Sequence, residues 1–515
     1  MFNGVVATDS GRVRGVESEG CWSFLGIRYA APVSGMARFA APRPVQPWKG
    51  IFSADVVSPV APQPRTGIGS YLPGDPMEQG EDCLSLNVWT AGCDAERRPV
   101  IVFLHGGAFL SGTGAGVLYR GDGFARRGVV LVTLNYRLGF LGFLAHPALE
   151  SAGAHLANRG LLDQLSALAW VEKNIAEFGG DPANVTLVGE SAGAMSIADL
   201  VSSGELSGRV RRVVLESGAT SIASRADAFE MAERFVSLLG DRYVRVESLA
   251  SAPMAELIAA QDSVIAEFGG AAGMPFRPIV DGELLRVHPD AAIAAGASAG
   301  LEVLAGTNRD EFRLFTFAQP EIPTLDDDGL GRLLDGYLEE AGMSVTARAV
   351  IDCFRQARGR QRLDIRPRDL FEAIGTDLVF RIPTLRLLAA HERFGGRAFC
   401  YRFDQESPFA QGALGACHAL ELPFVFGTLN NPIVAFFSGT GEAATAISEE
   451  MQGAWSDFAR TGRPARSYDE WPEYEPSQRM TRIFGGSPGV VSGPGEAERA
   501  FLDQHLPAYG GGLPT

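Results

Sequence analysis

Val185-Thr186-Leu187-Val188-Gly189-Glu190-Ser191-Ala192-Gly193-Ala194-Met195-Ser196-Ile197-Ala198-Asp199-Leu200 decides how this 515-residue chain is read. A short apolar run meets a glycine-flanked serine, and a helix-compatible segment follows: strand, sharp turn, helix. A turn this tight forces its central residue into strained geometry and lifts the Ser191 hydroxyl clear of the sheet. Gly189 and Gly193 leave room for strand and helix to approach. A serine held that way is placed to attack a carbonyl.

The five-residue pattern alone is weak, because about half a Gly-x-Ser-x-Gly match is expected by chance in a chain this rich in glycine. Two others occur, Gly296-Ala297-Ser298-Ala299-Gly300 and Gly485-Gly486-Ser487-Pro488-Gly489. The Ser298 match follows an alanine-rich helical run and precedes the apolar strand Leu301 to Ala305, the reverse of the order an elbow needs, so it reads as a helix-to-strand loop. In the Ser487 match the next residue is Pro488, which has no N–H to offer an oxyanion. It reads as a surface turn.

Working outward, apolar runs recur at Val100 to Leu104, Val129 to Leu134, Val213 to Leu215 and Leu301 to Ala305. They are apolar throughout rather than alternating, as strands buried on both faces of a parallel sheet are. Helical patterns fill the gaps, notably Leu161 to Phe178, which Gly179-Gly180-Asp181-Pro182 stops. The alternation predicts a doubly wound α/β fold in one domain spanning 1–515. Two helix-rich stretches, about 224–272 and 318–395, break the rhythm and are expected to be insertions capping the sheet's carboxyl end.

Composition excludes some classes. Lys+Arg 45 against Asp+Glu 61 gives a net charge of −16, with no basic cluster to track a phosphate backbone, so no nucleic-acid partner is expected. No run has the length of a membrane span and the start lacks a signal-peptide pattern. A cytoplasmic protein without membrane association, monomeric or a small homo-oligomer, is the expectation. Six cysteines in no metal-ligand spacing predict reduced thiols, and acyl transfer through a serine requires no metal or cofactor.

The chemistry needs three further parts. His105-Gly106-Gly107-Ala108-Phe109, directly after a strand, is a turn whose N–H groups face the space above the sheet. Gly107, Ala108 and Ala192 are the candidate oxyanion donors. Seven histidines compete as base. In this architecture acid and then histidine follow the serine, which removes His105, His146 and His155. Among the rest, His418 sits in a loop passing into an apolar segment that can hold a neutral imidazole. His288 reads as a surface residue, His391 lies in a helical pattern, and His505 is near the end. For the acid, Gly306-Thr307-Asn308-Arg309-Asp310-Glu311-Phe312 offers two adjacent carboxylates after a core strand, and position alone leaves Asp310 and Glu311 even.

Several motifs in order carry a resemblance: Gly26-Ile27-Arg28-Tyr29-Ala30, Glu81-Asp82-Cys83-Leu84-Ser85-Leu86-Asn87-Val88-Trp89, Asn135-Tyr136-Arg137-Leu138-Gly139, Phe178-Gly179-Gly180-Asp181-Pro182 and the elbow. Together they resemble the type-B carboxylesterases, which include bacterial para-nitrobenzyl esterases, animal carboxylesterases and cholinesterases. The resemblance spans Val5 to about Arg463. It implies an α/β-hydrolase fold with a mostly parallel central sheet, helices on both faces and helical cap insertions. It selects Glu311 over Asp310 and implies His418 as the base. It also implies oxyanion donors from Gly107, Ala108 and Ala192, and a structural ion pair between Arg38 and Glu81.

Two departures narrow the expectation. The family's usual first disulfide joins the cysteine of the Glu-Asp-Cys-Leu motif to one upstream, but the corresponding stretch here, Ser58-Pro59-Val60-Ala61-Pro62-Gln63, has none, so Cys83 is expected to be a free buried thiol. No tryptophan lies between Trp48 and Trp89 to bind a quaternary ammonium by cation–π attraction, so choline esters are not specifically supported. Glu190, Phe109, Phe312 and Ser217 are the candidate pocket residues, the two phenylalanines reading more readily as core. The expected activity is that of a serine carboxylesterase acting on small, mostly apolar esters of short to medium acyl chain. An amidase, carbamate hydrolase or lactonase would use the same groups. A non-catalytic binding protein on this scaffold is opposed by the presence of all three.

Overall fold

The computed structural model describes residues 2–64, 75, 78–151, 157–240, 246–268, 274–317, 319, 321–465 and 470–509. Parts of the stretch 224–272 therefore lie outside the described residues, as do residues 318 and 320. Three short strands, β1 (Val5–Ala7), β2 (Arg12–Arg14) and β5 (Ile51–Ser53), form a small separate sheet. The large sheet has eleven strands: β3 (Val16–Ser18), β4 (Cys21–Arg28), β6 (Ser85–Thr90), β7 (Arg98–Leu104), β8 (Val130–Leu134), β9 (Gly180–Glu190), β10 (Arg212–Glu216), β11 (Glu302–Asn308), β12 (Ala398–Phe403), β13 (Met480–Phe484) and β14 (Gly489–Ser492). Its order is β14-β13-β12-β11-β10-β9-β7-β8-β6-β4-β3.

The strands from β8 to β13 pair in parallel with their neighbours, and antiparallel strands flank them at both edges. The apolar runs supply this parallel centre. The antiparallel strands β3, β4 and β6, and the later β12 to β14, are shorter or mixed in polarity and gave no comparable signal.

Successive residues of β7 show why the run is apolar throughout. Val100, Val102 and Leu104 enter one core with Leu161, Ala194 and Ile197. Ile101 and Phe103 enter the other with Phe424, Trp455 and Phe458. Each fully buried side chain of this size contributes about 1.5–3 kcal/mol. Helices Arg159–Asn174 and Ala192–Ser203 cover the first face, and Glu442–Thr461 the second. The helix Arg159–Asn174 passes into a 3-10 turn, Ile175–Phe178, and ends at Gly179, whose φ of +79° suits glycine.

Strand order places the site. The chain runs from β7 to β8 on one side, then crosses to β9 on the other side of β7 and continues outward through β10 and β11. Such a reversal opens a crevice at the strands' carboxyl ends. The His105 loop leaves β7 there, and Ser191 leaves β9.

The quoted motifs build the frame. Arg137 and Asp163 form a fully buried, two-pronged ion pair, Nη2 to Oδ1 2.6 Å and Nε to Oδ2 2.8 Å, and Arg137 also donates to the Ala40 carbonyl. Arg38 Nε meets Glu81 Oε1 at 2.6 Å, and Arg38 also donates to the Ala252 carbonyl. Cys83 is a buried thiol, and all six cysteines are unpaired. No helix among the described residues is long and apolar enough to cross a membrane.

Candidate active site

Ser191 has φ +54° and ψ −124°, a conformation that a non-glycine residue holds only where its surroundings over-determine it. The surroundings are visible. Its N–H donates to the Glu216 carbonyl at 2.9 Å, and a Cβ added at Gly193 would run into the Leu104 carbonyl, so the helix can sit this close to β7 only with glycine there. The serine is 8% exposed and its hydroxyl bonds to none of the described residues.

Opposite the elbow, Gly107 (φ +110°), Ala108 (φ +55°) and Phe109 (φ +60°) form three successive left-handed residues. A Cβ at Gly106 would meet the Glu190 carboxylate and the Ser191 side chain, which measures how closely loop and elbow approach. Leu110 and Ser111 donate their N–H groups to the Gly107 carbonyl. The N–H groups of Gly107, Ala108 and Ala192 meet no acceptor among the described residues. Tyr136 steadies the loop, donating its hydroxyl to the His105 carbonyl at 2.8 Å and stacking on the His105 ring at 4.5 Å. Burial depresses the His105 pKa to about 4, so this imidazole stays neutral.

His418 Nδ1 lies 2.7 Å from Glu311 Oε2. The other Glu311 oxygen accepts from the Ser217 hydroxyl and the Asn308 N–H, both at 2.6 Å. Asp310, the neighbouring carboxylate, turns the other way: it pairs with Arg309 at 2.8 Å and accepts the Ala416 N–H at 3.0 Å. Asn308 ties the acid loop to the histidine loop by donating to the Cys417 carbonyl at 2.7 Å and to the Glu421 carboxylate.

His418 Nε2 faces Glu190 Oε1 at 3.1 Å. Three buried carboxylates, Glu190, Glu311 and Glu421, thus act on one imidazole, and a fourth, Glu216, acts on Glu190 and Glu421 in turn. Burial and the Glu311 charge push Glu190 up to about 7, against the pull of His418. Burial, Glu190 and Glu311 push Glu421 up to about 8. Burial and the Glu421 charge raise Glu216, although Trp455 Nε1 donates to it at 2.6 Å. Burial alone would lower His418, but Glu190 and Glu311 outweigh it and raise the imidazole to about 9. The surrounding carboxylates thus favour the protonated imidazole, the form that the reaction creates.

Glu216 and Glu421 escaped the sequence reading. A signal for Glu216 exists in hindsight: Glu190-Ser191 and Glu216-Ser217 each close an apolar strand, the two glutamates are in register across β9 and β10, and Ser217 shares the positive φ of Ser191, at +53°. Glu421, three residues after His418, had no such parallel. The two candidate pocket phenylalanines pack inward, in keeping with their reading as core. Phe109 is fully buried with its ring edge-on to Phe143, and Phe312 is 2% exposed among Phe315, Tyr337 and Phe371. Ser217 serves Glu311, and of the four only Glu190 reaches the imidazole.

Residues 3–487 match the carboxylesterase family. The chain belongs to that family. The para-nitrobenzyl esterase of Bacillus subtilis (strain 168) is 35% identical over 510 residues, covering 98% of this chain and 99% of that protein. The phenmedipham hydrolase of Pseudarthrobacter oxydans is 32% identical, covering 95% and 96%. Among solved structures, the carboxylesterase EST55 of Geobacillus stearothermophilus superposes with a TM-score of 0.85 at 38% identity, covering 97% of this chain and 99% of that one. This carboxylesterase has the α/β-hydrolase fold, and as a carboxylic ester hydrolase it acts on small-molecule esters.

Proposed function

We propose that Ser191 is the nucleophile, His418 the general base and acid, and Glu311 the group that orients and charge-balances the imidazole. The observation that carries this is the 2.7 Å bond from His418 Nδ1 to Glu311, made at the crevice into which the strained elbow lifts Ser191. Holding Nδ1 as the donor leaves Nε2 as the free base. In the reaction Nε2 turns from Glu190 to the Ser191 hydroxyl and takes its proton as the oxygen attacks the ester carbonyl. The charge that develops on the carbonyl oxygen is met by the N–H groups of Gly107, Ala108 and Ala192, each worth on the order of a hundredfold in rate. His418 then protonates the leaving alcohol, and water releases the acyl group by the same route.

The substrates are small, mostly apolar esters of short to medium acyl chain, with walls supplied by the helix-rich stretches 224–272 and 318–395. Six unpaired thiols support a reducing, cytoplasmic setting. The test is the initial rate on para-nitrophenyl butyrate for the parent and for Ser191→Ala, each checked for folding, with matched amide, carbamate and lactone substrates alongside. Turnover by the parent with a loss of about four or more orders of magnitude in the variant is expected. Equal rates in two folded proteins would remove Ser191 from the mechanism. Faster turnover of an amide, carbamate or lactone would reassign the substrate class.

A further inference from the structure

Between helices Pro367–Thr376 and Ile382–Glu392 the chain does not break. Asp377–Arg381 form one wide turn of π-helix, in which the Ile382 N–H reaches back to the Asp377 carbonyl. Pro383 accounts for the widening. Inside a continuing helix proline offers no N–H, and its ring crowds the carbonyl four residues back, here that of Val379. One wide turn makes room without ending the helix. The Thr384 hydroxyl donates to the Phe380 carbonyl at 2.9 Å, satisfying an acceptor in the disturbed turn.

This turn grips the histidine and acid loops at consecutive points. The Phe380 ring centroid lies 4.8 Å from that of His418, and the Phe315 ring 5.1 Å. The two phenyl rings stack 5.8 Å apart at 18°, so the three rings close a triangle on which the imidazole rests. Arg381, paired with Asp377, donates to the carbonyls of Arg309 at 3.0 Å and Asn308 at 3.5 Å. The Thr376 hydroxyl accepts the Phe312 N–H at 3.1 Å. Glu311 lies between these anchors. An ordinary helical turn would advance each following residue by about 100° relative to this one, so Phe380 and Arg381 could not both keep their contacts.

We propose that the wide turn is a positioning device for the His418–Glu311 pair: Phe380 sets the plane of the imidazole, while Arg381 and Thr376 fix the acid loop. Phe380 touches no reacting atom. It holds the ring whose Nδ1 must stay on Glu311 while Nε2 exchanges a proton, and its π face attracts the imidazolium that the exchange creates. The inference rests on the assignment of Ser191, His418 and Glu311 as the reacting groups.

The test measures kcat and KM on para-nitrophenyl butyrate for Phe380→Leu and Phe380→Tyr, with folding followed by circular dichroism. Ser191→Ala is measured in parallel. Phe380→Leu is expected to lower kcat about tenfold with KM changed by less than about twofold, and Phe380→Tyr to recover most of the loss. The proton NMR signal of the His418 Nδ1 proton, displaced downfield by the carboxylate, is expected to broaden in Phe380→Leu only. Unchanged kcat in folded Phe380→Leu, equal losses in both variants, or a loss confined to KM would overturn the proposal. Should Phe380→Leu not fold, Phe380→Met, nearer the native volume, carries the same expectations and the same refutations. If Ser191→Ala remains active, the assignment of the reacting groups fails, whatever the Phe380 variants do.

Discussion

Two serines in Gly-x-Ser-x-Gly sequences each have a histidine in the same region of the fold, and the two sites differ in every other respect. Ser298 Oγ lies 2.9 Å from His391 Nδ1, and His391 Nε2 lies 3.2 Å from the Arg397 carbonyl. That is a completed hydrogen-bonded pair: the serine hydroxyl donates to one ring nitrogen while the other donates to a carbonyl. Ser191 instead leaves its hydroxyl unbound by the described residues, and the nearby His418 is oriented by a carboxylate. A carbonyl fixes a tautomer as well as a carboxylate does, but brings no charge to stabilise an imidazolium. The pKa values move accordingly. Burial lowers His391, whereas Glu190 and Glu311 raise His418 to about 9 against the same burial.

Access separates them further. Ser298 is 3% exposed and His391 fully buried, and a Cβ at Gly396 would strike the His391 ring. Ser298 also lacks the left-handed backbone of Ser191 and precedes a strand rather than a helix, so no helix N-terminus offers N–H groups beside it. A serine–histidine contact is thus an ordinary way to satisfy two buried polar groups. What sets Ser191 and His418 apart is strain, a charged orienter and unfilled donors.

The largest effect that would sharpen this contrast lies between the serines themselves. Ser191→Ala is expected to cost about four or more orders of magnitude in kcat, and Ser298→Ala to leave kcat/KM within about twofold. Comparable losses in the two folded variants would erase the distinction. Next is the orienter. Glu311→Gln keeps the shape but replaces the charge with an amide, and kcat is expected to fall about 10³- to 10⁴-fold with KM little changed. A retained kcat would mean that His418 needs no more than the carbonyl that serves His391.

A smaller effect tests the field around the imidazole. Because the carboxylates raise His418, its neutral, proton-accepting form is lost as pH falls through a value above the ordinary histidine range. Removing the Glu190 charge lowers that pKa. In Glu190→Gln the acidic limb of kcat/KM is therefore expected to move to lower pH, and an unmoved limb would show that Glu190 does not act on His418. The smallest effect is on stability. His391→Leu leaves the Ser298 hydroxyl without its acceptor and is expected to lose about 1–3 kcal/mol in urea unfolding with activity unchanged. With its folded pKa depressed, His391 contributes fully above the ordinary histidine range, and that contribution is lost as pH falls, so the deficit of His391→Leu should shrink in acid.

Much of the site could be read before any coordinates. The apolar runs at Val100, Val129, Val185, Val213 and Leu301 became the parallel centre because a strand covered on both faces has no place for a polar residue. Strand–turn–helix order separated Ser191 from Ser298, and the missing N–H of Pro488 separated it from Ser487, since both are properties of the local backbone. The choice between Asp310 and Glu311 was not local. Adjacent side chains leave the loop in different directions, and position alone left them even until family resemblance favoured the second. In the structure Asp310 goes to Arg309 and Glu311 to His418.

By itself the sequence determined the kind of sheet, the elbow, the glycines that allow strand, loop and helix to touch, and the order of serine, acid and histidine. Only the tertiary structure decided that Glu421 joins the carboxylates acting on His418, that Glu216 backs Glu190 and Glu421, and that a proline-induced π turn carries Phe380 to the imidazole. The division is physical. Periodicity and turn chemistry are written within a few neighbouring residues, whereas the field at one imidazole is summed over groups from the end of β9, the loop after β11 and the loop before Leu422, which meet only when the sheet has closed its order.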